Sequence, residues 1–355
     1  MTTSISIASS IRNYTVNIID DFSKPLRNEL NSGSFFIIDS NVYELYLENG
    51  NINLPVDTFL IVEANERNKS LNKCKEIVEI LVEKQLRRNQ RIVAFGGGII
   101  QDITAFTASI YLRGIEWSFF PTTLLAQADS CIGGKTSINL SSKKNIIGNF
   151  YPPADIFLDI CFLNTLSKDD IKSGIGEILH FYFYSNNPLM SEMMYSYDDL
   201  ITNPKRMLKY IRESLLIKKS VIETDEFDKD ERNKFNYGHT FGHAIETATD
   251  FEIKHGLAVT VGIDLANYIS KYLDLINSEL YNRMKSIVKI NFPVYDWSSF
   301  NIDLFFKALK TDKKNKENNL GCILTEGPGC LVKKFLPIDE ELKKLMSNYF
   351  NRLKR

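Results

Sequence analysis

Four histidines, His180, His239, His243 and His255, are the only ones in this 355-residue chain, and all lie in its second half. In Tyr237-Gly238-His239-Thr240-Phe241-Gly242-His243-Ala244-Ile245-Glu246 the i, i+4 spacing sets both imidazoles on one helix face. Upstream, Gly176-Glu177-Ile178-Leu179-His180 puts a carboxylate and an imidazole three apart, again on one face if helical, and downstream His255 opens His255-Gly256-Leu257-Ala258-Val259. One histidine on an apolar face is ordinarily a hydrogen-bonded core residue. A glutamate with two imidazoles is a ligand set for Zn²⁺ that leaves a coordination position open for a substrate oxygen.

The second signal is a series of glycine-rich segments in the first half. Gly96-Gly97-Gly98-Ile99-Ile100-Gln101-Asp102 comes after a strand-like run, where glycines let a pyrophosphate approach the backbone at a helix N-terminus. The loop is not the G-x-G-x-x-G fingerprint, and a tight turn without a ligand would read the same. Four more segments strengthen the signal: Tyr111-Leu112-Arg113-Gly114, the run from Pro121 to Ser130, Gly133-Gly134-Lys135-Thr136, and Lys143-Lys144-Asn145-Ile146-Ile147-Gly148. Arginine, aspartate and lysines interleaved with glycines in an otherwise apolar region describe a preorganised phosphate and oxyanion site.

Elements must exist to hold these groups. Ser34 to Asp39, Thr58 to Val62 and Arg91 to Phe95 read as strands, Leu71 to Leu86 has helical spacing, and Ile156 to Ile160 is one more short apolar run. Their alternation predicts parallel βαβ units, a Rossmann-like α/β domain. Beyond Thr165 to Lys168 the pattern turns helical, which predicts an α/β domain over 1–168 and an all-α domain over 169–355. The charged stretch Lys307 to Asn319 is expected to be a solvated loop. A length of 355 with 44% apolar residues suits two cores and a cleft. A net charge of −1 gives no field for nucleic acid or an anionic membrane, so an anionic substrate must be held by locally placed cations. No apolar run approaches the length of a membrane span. The five scattered cysteines, Cys74, Cys131, Cys161, Cys322 and Cys330, form no C-x-x-C pair and are expected to be reduced thiols of a cytoplasmic protein.

These motifs, in this order and at these separations between Asp39 and Lys314, resemble the 3-dehydroquinate synthase family of sugar phosphate cyclases. The resemblance implies a dehydroquinate synthase-like fold and a homodimer working in the shikimate pathway toward aromatic amino acids. It implies NAD and Zn²⁺ or Co²⁺ as cofactors, and a phosphorylated seven-carbon keto acid as the small-molecule partner. On the NAD side it points to Asp39, Glu66, Lys69, Gly97, Gly98 and Asp102. It adds Thr122, Thr123, Leu125, Lys144, Phe162, Thr165 and Leu166. For the metal it points to Glu177, His239 and His255, with His243 beside the substrate phosphate. For substrate it points to Arg113, Asp129, Lys135, Asn145, Lys218, Arg232 and Asn236, with a lysine of Asp312-Lys313-Lys314, Lys314 being the choice. Arg113, Lys135 and His243 would meet a phosphate while Lys218 and Arg232 meet a carboxylate. The implied reaction is transient oxidation of a secondary alcohol by NAD, loss of phosphate, re-reduction, ring opening and aldol closure.

His180 departs from the family pattern, which has a lysine there, and Leu257 stands where a glutamate is usual. The first change raises a related cyclase with a different substrate as the alternative. Polyol and iron-type alcohol dehydrogenases share a G-G-G-x-x-x-D loop but have no reason to carry the Pro121 to Ser130 run or the Lys218 and Arg232 pair. A non-catalytic paralogue would have no reason to keep all three metal-ligand positions.

Overall fold

The computed structural model describes residues 3–50, 52–141, 143–312 and 314–354. The chain divides into two units, 1–166 with 211–227, and 167–210 with 228–355.

The first unit is built on a seven-stranded sheet of β1 (Thr3–Ile7), β2 (Tyr14–Ile19), β3 (Phe35–Asp39), β4 (Phe59–Val62), β5 (Ile92–Gly96), β6 (Trp117–Pro121) and, after the short hairpin β7 (Ile138–Leu140) and β8 (Lys143–Ile147), β9 (Asp155–Asp159). The order is β1-β2-β9-β6-β5-β3-β4, parallel throughout except for β1 against β2. Every residue of β3, β5 and β6 is buried. That is why these strands read as unbroken apolar runs rather than alternating ones. Leu26, Phe36, Ile38, Val93, Phe95, Phe120 and Phe162 form one continuous core on one face of the sheet. Between β4 and β5 the helix Leu71–Glu83 starts at Ser70, whose hydroxyl accepts from Lys73 N at 3.3 Å.

The long helix Pro204–Ile222 contributes its later part, Ile211 onward, to this first unit. Ser214 Oγ donates to Ala128 O at 2.9 Å and Lys218 Nζ to Asp129 O at 2.8 Å, which anchors the segment. The sequence carries no punctuation that marks this return.

The second unit is mostly helical, as expected, with helices Lys168–Ser185, His239–Ala248 and His255–Tyr272 at its centre and Ser278–Lys289 and Glu340–Leu353 outside them. Its departure from an all-helical composition is the hairpin β10 (Asn319–Thr325) and β11 (Leu331–Pro337). The charged stretch from Lys307 is not loop from its start, because Lys307 to Lys310 complete the helix Ile302–Lys310. Among the described residues no helix is long and apolar enough to cross a membrane. Cys74, Cys131 and Cys322 are buried, and burial pushes their thiols up to about 11, 12 and 12, which leaves them inert packing groups.

Candidate metal centre and nucleotide cradle

The metal-ligating candidates depend on how closely three helices approach. A Cβ at Gly176 would stand 2.0 Å from Gly256 O, and one at Gly256 would stand 1.8 Å from Ser173 O. A Cβ at Gly262 would meet Gly238 O at 2.1 Å. Only glycine permits these backbone contacts, and through them Glu177, His239 and His255 converge from separate helices.

Glu177 is buried to 1% exposure. Its Oε2 lies 3.5 Å from His239 Nε2 and its Oε1 3.3 Å from His255 Nε2. Two ligands about 2.0–2.1 Å from a tetrahedral Zn²⁺ stand roughly 3.3 Å apart; each separation is close to that length, each imidazole faces a different oxygen of the carboxylate, and the ligand atoms of the three groups lie within 4.8 Å of one another, which lets them share one ion. The other ring nitrogens are engaged elsewhere, His255 Nδ1 with Glu246 Oε2 at 3.0 Å and His239 Nδ1 with Tyr237 O at 3.3 Å. Both imidazoles thus aim Nε2 at the carboxylate, and the donor set of one oxygen ligand and two imidazoles fits a divalent zinc-like ion. Burial opposes ionisation of Glu177, but His239 and His255 outweigh it and hold its carboxyl well below the ordinary range. Burial works against a charged His255, and the carboxylates of Glu246 and Glu177 outweigh that too, raising it well above the usual imidazole range.

Around this centre lie further expected residues. His243, one turn after His239, is exposed, with its ring 5.7 Å from that of His239 and 5.5 Å from that of His255. Lys314 Nζ donates to Asn236 Oδ1 and Thr240 Oγ1, both at 3.2 Å, which joins two of the expected substrate groups. Lys313 lies outside the described residues. Arg232 is buried on the short turn Glu231–Asn236. His180 is buried, its ring 5.0 Å from that of His239, 4.9 Å from Phe181 and 5.7 Å from Phe235. Its ring therefore contacts both the metal-ligand group and an aromatic wall. Leu257 is buried and serves packing.

Of the residues expected on the nucleotide side, Asp39 and the Gly97 and Gly98 loop follow β3 and β5, the two strands between which strand order reverses, the place where open α/β sheets bind ligands. Asp39 ends β3 and accepts from Asn41 N at 3.0 Å; burial raises its pKa against that hydrogen bond. Gly97 caps the helix Gly98–Ile110, and a Cβ there would stand 2.9 Å from Thr123 Cγ2, while one at Gly98 would stand 3.9 Å from Ser130 Oγ, an ordinary contact. Thr122 N donates to Gly96 O, and Thr123 Oγ1 accepts from Ala126 N. Leu125 is partly buried beside them. Lys69 forms an ion pair with Asp102 at 2.6 Å and donates to Asn145 Oδ1 at 2.9 Å; Lys144 pairs with Glu66 at 3.1 Å. Burial pushes the Asp102 carboxyl up to about 6, opposed by Lys69.

Several expected residues have partners the sequence did not foretell. Asn145 joins the Lys69 group. Lys218 forms an ion pair with Asp129 at 2.7 Å, so two residues expected to face substrate face each other. Phe162 is a core ring, packed 4.9 Å from the rings of Phe22 and Tyr46, and Thr165 Oγ1 shares a hydrogen bond with Tyr46 Oη at 2.8 Å, with Leu166 next in the chain. Arg113 (φ 66°) comes after Leu112 (φ 50°), a left-handed pair ahead of Gly114 that displays the guanidinium on the surface. Lys135 is exposed, bridged through its backbone to Phe150. Glu246, Thr240 and Asn139, which donates to Glu66 Oε2 at 2.7 Å, were not anticipated. For Glu246 a signal existed: it lies two turns beyond His239 and three residues beyond His243, on the same helix face.

Models of the 3-dehydroquinate synthase N-terminal and C-terminal families match residues 59–173 and 174–315. The chain is 37% identical to a 3-dehydroquinate synthase of Clostridium tetani over 81% of its own length and 78% of the relative's. It is 38% identical to one of Dictyoglomus turgidum, with 82% of each chain covered. Among solved structures it is similar to a 2-deoxy-scyllo-inosose synthase complexed with carbaglucose-6-phosphate, NAD+ and Co2+, with a TM-score of 0.85 at 25% identity over 99% of this chain and 100% of the other. The order of its motifs, the two-unit fold and these matches agree: the chain belongs to the 3-dehydroquinate synthase family.

Proposed function

We propose that the protein is a 3-dehydroquinate synthase, converting 3-deoxy-arabino-heptulosonate 7-phosphate to 3-dehydroquinate and inorganic phosphate. The observation that carries this reading is the Glu177 carboxylate facing Nε2 of both His239 and His255 at 3.5 and 3.3 Å, in a chain of this family. Glu177, His239 and His255 would hold a divalent ion, Zn²⁺ or Co²⁺, which supplies Lewis acidity toward the reacting hydroxyl and ketone. Asp39, the Gly97 and Gly98 loop, Glu66, Lys69, Asp102 and Lys144 would hold NAD, which accepts a hydride and returns it, so that the reaction has no net redox change.

The chain's own groups divide the remaining work. Arg113, Lys135 and His243 are assigned to the phosphate, and Arg232 to the substrate carboxylate. Lys218 can contribute there only by sharing its ammonium with Asp129, its present partner. Lys314, oriented by Asn236 and Thr240, supplies a positioned ammonium for a substrate hydroxyl. The α/β region serves the nucleotide and the helical region the metal, in a cytoplasmic homodimer; a single-chain mass by light scattering would overturn the dimer.

Supplying the purified protein with NAD, Zn²⁺ and the seven-carbon keto acid phosphate should release phosphate and form dehydroquinate in equal amounts. No turnover of that substrate, together with turnover of a sugar phosphate lacking a carboxylate, would replace this reading with a related cyclase. The His180 substitution is the one observation for that second reading; the identities to 3-dehydroquinate synthases stand against it.

A further inference from the structure

We infer that Glu246 is a positioning residue of the metal centre: its carboxylate holds Nδ1–H of His255 and so presents Nε2 of that ring to the ion. The inference rests on the metal reading above and names a residue that reading does not use. The two nitrogens of His255 face two different carboxylates, and the lengths separate their roles. Nδ1 to Glu246 Oε2 is 3.0 Å, a hydrogen-bond length, while Nε2 to Glu177 Oε1 is 3.3 Å, the edge of a four-coordinate ion. The Glu246 side chain is only 13% exposed, so its bond to the ring is poorly screened by water.

The support is unequal between the two imidazoles. Among the described residues His239 Nδ1 has only the Tyr237 carbonyl at 3.3 Å, whereas Nδ1 of His255 has an anion, which fixes the tautomer and raises the basicity of the liganding nitrogen. Glu246 and His239 lie on the same helix, His239–Ala248, so one helix provides a ligand and also the brace for the ligand of the next. His243, Glu246 and His255 also offer donor atoms within 4.8 Å of one another, and a second ion bridged by His255 is the competing arrangement. The hydrogen-bond length at Nδ1 and the exposed position of His243 favour the brace.

The test is Zn²⁺ affinity of the metal-free protein, measured by competition with a chromophoric chelator, for the parent, Glu246→Gln and Glu246→Ala. We expect a loss of roughly tenfold for the glutamine, which keeps an acceptor without charge, and nearer a hundredfold for the alanine. The Co²⁺ absorption spectrum should shift in both, and the melting temperature of the metal-free proteins should stay near the parent's. Parent-like affinity in both variants would overturn the inference, as would an affinity loss matched by equal loss of metal-free stability. Two zinc equivalents per parent chain and one in Glu246→Ala would overturn it in favour of a second ion. These readouts concern binding alone, so absence of dehydroquinate formation would fail the proposed function without touching this result.

Discussion

Gly176 and Gly256 lie backbone against backbone: a Cβ at the first would stand 2.0 Å from the carbonyl oxygen of the second. This contact, reinforced by Gly256 N donating to Ser173 Oγ at 3.0 Å, sets the separation of Glu177 from His255. Gly176→Ala should therefore strain the helix pair, with no flexible side chain available to yield. Overpacking of a core costs about 1–3 kcal/mol, and a clash with backbone belongs at the top of that range or above. Chemical denaturation should show that loss, and zinc retention should fall with it. Unchanged stability would mean that the helices can part without cost.

The ligand set makes a second prediction. Elemental analysis should find one equivalent of divalent metal per parent chain and none retained by Glu177→Ala or His239→Ala, and chelation should abolish turnover. Equal metal content in all three proteins would remove these residues from the site.

A third prediction concerns Arg232, buried at 4% exposure on its short turn. If it holds the substrate carboxylate, Arg232→Ala should cost about 1.5–3 kcal/mol of transition-state binding, as expected of a charged hydrogen bond. That is roughly ten- to a hundredfold in kcat/KM. An unchanged kcat/KM on the keto acid phosphate would mean that no carboxylate sits there.

The Lys69 and Asp102 pair predicts a pH dependence. Burial raises the folded-state Asp102 to about 6, above its unfolded value near 3.8, so the folded protein binds more protons across that interval. Stability therefore falls as pH rises from about 4 to about 6, by a contribution on the order of 3 kcal/mol at full effect. In Asp102→Asn this contribution is absent, and the stability difference between variant and parent should move in the variant's favour over that range. Parallel stability curves would show that Asp102 titrates as an ordinary exposed carboxylate.

How much of the site was legible in the sequence depends on how rare its signals are. With four histidines in the chain, two at i, i+4, a site of one glutamate and two imidazoles could be foreseen from type and spacing, whereas the choice of His255 over His243 beside Glu177 came from the family resemblance. The buried strands ended within about a residue of their apolar runs, because parallel strands covered on both faces have no polar interruptions. Glu246 was harder, since a glutamate on a helix ordinarily reads as a solvated group. The Lys218 and Asp129 pair joins positions far apart in sequence through the return of Ile211–Phe227 to the first unit, and no local pattern encodes that return. In the hairpin Asn319–Pro337 the second strand is buried only at Leu331 and then alternates half-buried and exposed residues around Lys333 and Lys334, so it gives no strong apolar signal.

His180 yields the last prediction. It lies three residues after Glu177 on the same helix, buried, with its ring against His239 on one side and Phe181 and Phe235 on others. A side chain so enclosed has a packing role whatever else it does, so His180→Ala should lose stability by about 1–3 kcal/mol and weaken the hold on His239. His180→Lys is the more informative change, because it restores the family's residue and leaves Glu177, His239 and His255 in place. Lysine carries its charge on a flexible stem that can reach past the aromatic wall, whereas the imidazole is short and flat. The expected outcome is that the parent turns over the seven-carbon keto acid phosphate and that the lysine variant stays within about tenfold of it in kcat/KM, a change of about 1.4 kcal/mol or less. Both should rank longer and shorter keto acid phosphates in the same order. A parent nearly inactive on the seven-carbon substrate, with activity gained by the lysine variant, would instead make His180 the residue that assigns this chain a different, related substrate.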